Sequence, residues 1–323
     1  MNIFSRITTG VSIRSAHLFF WIRSRKSVWL YAVNGKSRRA KKKNPTELSG
    51  VQRRIVADLL RDGIAVAHLD EFFPRRGLLE NFQHVVADGR ARADTRTHKA
   101  FLKNLWDAVP LVDFGNPFFA LALDDAILAT VNEYMGLWSY FFYLTLNVTT
   151  PVPAGSEAVQ SQRWHGDPED RKMCKVFLYL TDVDEGSGPF TYVRGSQSGG
   201  RWRHLFREQS PRGIMPPKRP IKEIVLPADI MTCTGRVGTL IFCDTSGYHR
   251  GGYATKSERI MLTMGYCSGA NPYPMRVRFS ELLREQEEYQ VLGPAARHAL
   301  TFAPGRTVSY FFRKIKPRFK YGA

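Results

Sequence analysis

The sequence predicts a mainly β protein with flanking helices, and three observations lead to that class. From Leu137 onward, short runs of β-branched and aromatic residues alternate with turns that are rich in Gly, Pro and Asp. Residues 46–135 instead carry apolar residues at helical spacing, and a helical pattern returns only near the end of the domain. Because no helical pattern separates the strand runs, they favour a sandwich or barrel over a parallel sheet that alternates with helices.

The helical part is expected to begin with Thr46 as an N-cap, and its first helix is expected to end at Gly63. The further elements predicted in this part are a strand at residues 64–69 and helices at residues 78–86 and 118–134. The later strand runs lie at residues 140–150, 175–181, 190–193, 239–243 and 260–266, and a last helix at residues 279–288. We therefore expect one domain at residues 46–300, with a helical part at 46–135 and a β core at 137–270.

The chain has 323 residues and a formal net charge of +18, and nearly all of that charge lies at its two ends. Residues 1–45, the N-terminal arm, carry 11 Lys or Arg and no acid, and residues 301–323, the C-terminal tail, carry six and no acid. Aromatic residues stand beside these cations, and those in the arm are Phe19, Phe20, Trp21, Trp29 and Tyr31. This composition suits an anionic membrane surface, and nucleic-acid phosphates less well. Solvated tails without a partner are the alternative.

The cysteines and the apolar stretches bear on the cellular compartment. Buried, reduced thiols are expected at Cys174, Cys233, Cys243 and Cys267, which show no CxxC spacing. A cytoplasmic location is therefore expected, with peripheral attachment to a membrane as a variant of it. The longest apolar stretch near the N-terminus, residues 16–22, is much shorter than the roughly 20 residues that cross a bilayer, so no transmembrane helix is expected. An organelle transit peptide is the minority interpretation of the acid-free N-terminus.

The central signal for chemistry is the segment Trp164-His165-Gly166-Asp167. In an extended segment, residues i and i+2 face the same side, so the imidazole of His165 and the carboxylate of Asp167 can bind one metal ion. Gly166 lets the backbone bend around such an ion. Two histidines and one carboxylate that leave further positions open form the ligand set of non-haem iron(II) oxygenases. A third ligand is needed.

A His-x-Asp pair is weak evidence by itself. With eight His and 29 Asp or Glu in the chain, chance predicts about 0.7 pairs of His and an acid at this spacing, and the sequence has two. The other pair is His68 and Asp70, for which a structural role is expected because His68 ends an apolar strand and Asp70 can cap the following helix. An exposed turn is the structural alternative for His165 and Asp167.

Two downstream residues, His249 and Arg259, favour the metal site over the turn. His249 follows the predicted strand at 239–243 through a turn, and Arg259 lies ten residues later, where the next strand begins. In a double-stranded β-helix, the jelly roll of cupin-like proteins, such strands lie side by side, so His249 could complete the metal site while Arg259 points into the barrel. A fixed guanidinium suits a co-substrate carboxylate. The structural alternative for His249 is a turn residue, and for Arg259 it is a surface charge.

Residues 165–167, 175–197 and 238–262 together resemble the phytanoyl-CoA dioxygenase-like family of iron(II)/2-oxoglutarate oxygenases, and the resemblance covers roughly residues 60–270. It implies a jelly-roll core in which Arg259 binds the distal carboxylate of 2-oxoglutarate. The implied iron ligands are His165, Asp167 and His249. Two segments depart from the family's pattern and lie close to the expected co-substrate pocket: Arg194-Gly195-Ser196-Gln197 and Tyr253-Ala254-Thr255.

The resemblance further implies an enzyme that uses Fe(II), 2-oxoglutarate and O2 and that releases succinate and CO2. Halogenating relatives lack the iron-binding carboxylate, so Asp167 favours hydroxylation. The basic ends suggest a small or amphiphilic substrate that is lipid-like and anionic, and the irregular segment 200–227 is a candidate lid. The alternatives are a jelly-roll metal protein that does not use 2-oxoglutarate and a membrane or nucleic-acid adaptor with an inactive oxygenase-like core.

Overall fold

The computed structural model describes residues 14–74, 77–92, 101–107, 109–153, 155–206, 219–301 and 308–311. Most of the C-terminal tail and the middle of the predicted lid segment, residues 207–218, lie outside the described residues. Within the described parts of the chain, no helix is both long enough and apolar enough to cross a bilayer.

Nine strands in the described residues form two antiparallel sheets, one with the order β1-β7-β4-β9-β3-β2 and one with the order β6-β5-β8. The strands are β1 (Ile64–His68), β2 (Leu102–Asn104), β3 (Tyr140–Thr149), β4 (Cys174–Tyr179), β5 (Phe190–Val193), β6 (Ile230–Cys233), β7 (Thr239–Cys243), β8 (His249–Arg250) and β9 (Arg259–Cys267). All six strands predicted from sequence are present. β2, β6 and β8 were not predicted; they have two to four residues, and so short a segment seldom shows a clear alternation.

Helices cover the outer face of the six-stranded sheet. They are α1 (Gly35–Lys43), α2 (Gly50–Asp62), α3 (Leu69–Phe72), α4 (Leu78–Arg92), α5 (Pro117–Ala122), α6 (Asp125–Met135), α7 (Glu287–Gln290) and α8 (Pro294–Ala299), preceded by helical residues 14–23 and a π-helical turn at Val28–Val33. Leu59 of α2 and Ile127 of α6 share one apolar core with Leu146 of β3 and Leu262 of β9. The mainly β class with flanking helices is therefore confirmed.

The inner face of the large sheet meets the small sheet in a second apolar core. Phe177 and Tyr179 of β4 pack there with Phe190 and Tyr192 of β5. Alternate residues of a strand point to opposite faces. In each central strand, one set of side chains therefore packs against the helices and the other set faces the small sheet. The space between the two sheets is therefore enclosed, and it is where the site lies.

Two helices differ from the predictions: one begins later than predicted, and one is divided in two. A capping side chain explains each difference. The first helix is capped by Ser49 rather than Thr46, because Ser49 and Gln52 form a reciprocal capping box. The predicted helix at 118–134 is two helices, α5 and α6, because Asp124 takes an extended backbone and its carboxylate accepts from the N–H of Ala126 at 2.8 Å.

The last predicted helix, at residues 279–288, is wrong in type. A 3-10 helix at Glu281–Glu285 is followed by the single turn of α7, and Gln286 between them has an extended backbone. Apolar spacing alone does not distinguish a short 3-10 segment from an α-helix, because the two periods differ little over five residues.

Candidate metal centre and co-substrate pocket

Main-chain pairing brings the three predicted metal ligands together. His165 and His249 form an antiparallel bridge in which each N–H donates to the other's carbonyl at 2.8 Å. The N–H of Asp167 donates to the carbonyl of Thr245 at 2.7 Å. One ligand atom from each of the three side chains lies within 4.8 Å of the other two, and this is the one such group of His, Cys, Asp or Glu in the described residues.

A hydrogen bond to a backbone carbonyl orients each imidazole. The Nδ1 of His165 lies 2.8 Å from the carbonyl of Arg163, and the Nδ1 of His249 lies 3.0 Å from that of Gly247. Because a carbonyl only accepts, Nδ1 carries a proton in each ring, and in the neutral ring Nε2 then keeps its lone pair. Both lone pairs face the same carboxylate, which is an arrangement suited to a cation.

The distances around Asp167 leave one oxygen available for a metal ion. Its Oδ1 lies 3.7 Å from Nε2 of His165, and its Oδ2 lies 3.8 Å from Nε2 of His249. The Nζ of Lys175, on β4, donates to Oδ2 at 2.6 Å. Since Lys175 occupies Oδ2, Oδ1 is the oxygen that is free to bind a cation together with the two Nε2 atoms.

The protonation states also suit a metal site. Burial lowers the pKa of His249 to about 3, so its ring is neutral near pH 7. Burial raises the pKa of Asp167, but the positive charge of Lys175 and the two nearby imidazoles outweigh it and hold that pKa below its usual range. Asp167 is therefore ionised. A neutral imidazole and an ionised carboxylate are donors that a divalent transition metal takes in proteins.

The loop Arg194-Gly195-Ser196-Gln197 has a supporting role here. The Ser196 hydroxyl accepts from the N–H of Tyr248 at 2.6 Å and donates to the carbonyl of Val193 at 2.6 Å. Tyr248 is buried and stacks on Trp164, with ring centroids 5.4 Å apart. Ser196 thus holds the residue before His249, and the stacked rings join the two segments that carry the histidines.

Arg259 is a buried cation without an acidic partner in the described residues. Its side chain is 3% exposed at the start of β9, opposite Thr149 of β3. One Nη donates to the carbonyl of Gly188 and the other to the Thr149 hydroxyl at 3.1 Å, whereas Nε is buried with no hydrogen-bond partner. Burying an unpaired charge is costly. An anionic ligand would offset that cost.

Arg259 and the three-ligand cluster belong to the same interior. The ring of Phe190 lies 5.4 Å from the ring of His249, and its N–H donates to the hydroxyl of Tyr179 at 3.3 Å. The guanidinium carbon of Arg259 lies 6.0 Å from the centre of the Tyr179 ring. The ring centroid of Phe177 lies 4.7 Å from that of Phe190.

A glycine allows the close approach of the segment that joins His249 to Arg259. A Cβ on Gly252 would lie 1.7 Å from the carbonyl oxygen of Gly188 and 2.9 Å from Nη1 of Arg259. No side chain fits there without backbone movement. The same Gly188 carbonyl accepts from Arg259, so the path of the chain after His249 fixes the place of the guanidinium.

Sequence reasoning missed several polar residues that line this interior. The sequence predicts Lys175 as the first residue of a strand and Asn147 and Thr149 as strand residues, without a role in the site. Asn147 donates to Thr145 at 3.1 Å, and its buried Oδ1 has no partner. Polar residues at alternate positions of β3, Thr145, Asn147 and Thr149, were the available signal, because a polar face on a buried strand points to a lined cavity.

The second His-x-Asp pair is structural, as expected, although the roles differ from the prediction. His68, not Asp70, is the N-cap of α3, and its Nδ1 accepts from the N–H of Asp70 at 3.3 Å. Because Nδ1 accepts there, the neutral ring carries its proton on Nε2, which donates to the carbonyl of Val237 at 2.9 Å. The four cysteines are buried and unpaired, as predicted.

No protein-family model matches the chain, and no curated protein is significantly similar to it in sequence. Among solved structures, the epimerase SnoN in complex with Fe3+, alpha ketoglutarate and nogalamycin RO is 17% identical, with a TM-score of 0.50 over 70% of this chain and 86% of that chain. The fold is a jelly roll. At this identity the likeness to SnoN shows the fold, and the predicted double-stranded β-helix core is thereby confirmed.

Two further structures are similar at lower TM-scores. EctD from S. alaskensis, in its apoform, is 17% identical over 74% of this chain and 90% of that chain, with a TM-score of 0.47. HygX from Streptomyces hygroscopicus, with nickel, 2-oxoglutarate and hygromycin B bound, is 18% identical over 67% of this chain and 87% of that chain, with a TM-score of 0.45.

Proposed function

We propose that this protein is an Fe(II)/2-oxoglutarate-dependent dioxygenase in which His165, Asp167 and His249 hold the iron. Arg259 would bind the distal carboxylate of 2-oxoglutarate. The observation that carries the proposal is the buried guanidinium of Arg259, which has no acidic partner in the described residues and lies in the interior that also contains the three metal-binding side chains. A metal protein without this co-substrate has no need of such a cation, and a scaffold would lose stability by keeping it.

The proposed reaction is a hydroxylation. With Fe(II) bound, the centre would couple the oxidative decarboxylation of 2-oxoglutarate by O2 to insertion of one oxygen atom into a C–H bond, yielding succinate, CO2 and the hydroxylated product. The carboxylate of Asp167 occupies the position that a halide needs in halogenases. Lys175 would keep that carboxylate ionised and in place, and Phe177 and Phe190 would exclude water between the metal and Arg259.

For the substrate we propose a small or amphiphilic molecule, lipid-like and anionic, as the basic ends suggest. An acyl-CoA is one such compound, in line with the resemblance to the phytanoyl-CoA dioxygenase-like family. SnoN and HygX were solved with the small molecules nogalamycin RO and hygromycin B. The four free, buried cysteines favour a reducing compartment, so we propose a cytoplasmic location.

Anaerobic titration tests the proposal. Fe(II) and then 2-oxoglutarate are added to metal-free protein while the visible charge-transfer absorption of an iron-bound 2-oxo acid is recorded. We expect this absorption with the natural protein and its loss in His165→Ala. Bound iron without the absorption would indicate a jelly-roll metal protein that does not use 2-oxoglutarate. Folded protein that binds no iron would indicate an adaptor.

A further inference from the structure

The helix at residues 14–23 is apolar on two opposite sides. On its inner side, Ala16 and Phe20 are buried. Leu18, Trp21 and Ile22 are instead 56%, 52% and 44% exposed. At 100° per residue, these three side chains project from the side opposite to Ala16 and Phe20. The packed helix therefore presents a second apolar side to solvent, which a helix that only covers a core does not need.

Cations flank this outer side. Arg14 is exposed and projects from the same side as Trp21 by helical spacing, and Arg25, which follows the helix, is also exposed. The guanidinium of Arg25 lies over the Trp21 ring at 3.6 Å from its centroid. No acid occurs before Glu47. The surface formed by Leu18, Trp21 and Ile22, called here the outer patch, is thus bordered by positive charge.

The tertiary structure brings the second basic segment to the same place. Val308 is buried against Ala16 and Phe20, and the ring of Phe311 stacks on that of Phe19 with centroids 4.6 Å apart. The C-terminal tail, with five Lys or Arg after Phe311, therefore begins beside the helix that carries the outer patch. Both acid-free ends of the chain meet at one site on the molecule, although they lie 285 or more residues apart in sequence.

We propose that the outer patch docks on the surface of an anionic lipid bilayer. Leucine and isoleucine gain free energy by entering the acyl region, tryptophan prefers the interface, and the surrounding Lys and Arg meet lipid phosphates. Nucleic acid would use the cations but offers little to the aliphatic side chains of Leu18 and Ile22. A second copy of this chain would bring two clusters of like charge together, which opposes association.

Docking there would hold the metal-binding segment at a fixed place relative to the lipid. The outer-patch helix ends near Ser24, whose carbonyl accepts from Arg171 at 2.7 Å. Five residues further on, Nε1 of Trp29 donates to Oδ1 of the buried Asp170 at 2.7 Å. Asp170 is three residues after Asp167. An amphiphilic substrate could thus be taken from the surface to which the enzyme is bound, although docking itself does not depend on catalysis.

Vesicle co-sedimentation tests this inference with the full chain. Vesicles of phosphatidylcholine alone are compared with vesicles that also contain phosphatidylserine. The patch variant is Trp21→Ser with Ile22→Ser, and the matched control is Leu282→Ser with Val291→Ser, which changes two apolar residues elsewhere that are even more exposed, at 73% and 77%. All variants are first compared in thermal unfolding and in Fe(II) binding, because the substituted side chains are exposed and neither property should change.

We expect the natural chain and the control to bind the anionic vesicles, with weaker binding at high salt, and the patch variant to bind about tenfold more weakly. Equal binding by the patch variant would overturn the inference, as would equal binding to neutral vesicles. Loss of duplex nucleic-acid binding in the patch variant, or its conversion from dimer to monomer, without a change in vesicle binding would assign the patch to those partners instead. None of these results depends on 2-oxoglutarate turnover, so the proposed function is tested separately.

Discussion

Replacing Arg259 with Met tests whether the buried guanidinium exists to bind 2-oxoglutarate. The substitution keeps a long side chain in the core and removes the charge. In the structure, Nε of Arg259 is buried and has no hydrogen-bond partner. A carboxylate that takes this donor forms at least one charge-assisted hydrogen bond, which contributes about 1.5–3 kcal/mol. Arg259→Met should therefore raise the dissociation constant of 2-oxoglutarate by about 10- to 150-fold.

The weaker binding of 2-oxoglutarate should also reduce the stability that this ligand adds to the protein. At a 2-oxoglutarate concentration of 100 times the dissociation constant, the ligand stabilises the Fe(II)-loaded natural protein by about 2.7 kcal/mol. If binding is 100-fold weaker in Arg259→Met, the same concentration contributes only about 0.4 kcal/mol. Anaerobic titration calorimetry gives the dissociation constant, and urea unfolding with and without 2-oxoglutarate gives the stabilisation. Binding of Fe(II) alone should not change, because Arg259 does not contact the three-ligand cluster.

Arg278→Met is the matched control, since Arg278 pairs with Asp107 at 2.9 Å and both side chains are 60% exposed. It should leave 2-oxoglutarate binding unchanged. An unaltered dissociation constant in Arg259→Met would refute the assigned role of the guanidinium. An equal loss in both variants would show that the effect comes from net charge rather than from the buried site.

Three further predictions concern the metal site and the segment that supports it. Lys175→Met should weaken Fe(II) binding by about 10- to 100-fold in competition with a chelating dye, because Oδ2 of Asp167 loses its donor. Trp29→Phe should lower the free energy of unfolding by about 1.5–3 kcal/mol in urea, because the buried Asp170 loses one of its hydrogen bonds. Metal-free protein should lose stability as the pH falls from about 6.5 towards 3. In that range the unfolded chain takes up a proton at His249, whereas the folded state, with a pKa of about 3, does not. A His249→Asn variant should show a shallower dependence of the free energy of unfolding on pH.

Each of these predictions has an outcome that contradicts it. Unchanged Fe(II) affinity in Lys175→Met would mean that Asp167 needs no support. For Trp29→Phe the control is Trp106→Phe, since Nε1 of Trp106 is buried without a partner and its removal breaks no hydrogen bond. Equal losses in the two Trp variants would trace the effect to ring size. Parallel pH profiles for the natural protein and His249→Asn would assign the acid sensitivity to other groups.

The sequence by itself determined the class of the fold and the positions of its main strands along the chain. Alternation and turn residues are local properties, and a strand such as β9 (Arg259–Cys267) shows them clearly over nine residues. His165 and Asp167 could also be chosen locally, because an i, i+2 pair shares one side of an extended segment. Helix ends were less certain, since Ser49 and Thr46 are both acceptable N-caps, and the reciprocal capping box of Ser49 and Gln52 decides between them.

The tertiary structure decided which residues that are distant in sequence contact each other, because a local sequence pattern carries no information about such contacts. His249 lies beside His165 because a main-chain bridge joins two segments that are 84 residues apart in sequence. Lys175 contacts Asp167 because the sheet places β4 next to the segment that carries Asp167. Whether Arg259 is a surface charge or a buried one depends on its pairing with Thr149 across β3. The meeting of the two basic ends is likewise a consequence of packing. Such contacts depend on the whole chain being folded, because burial and long-range pairing are properties of the completed core.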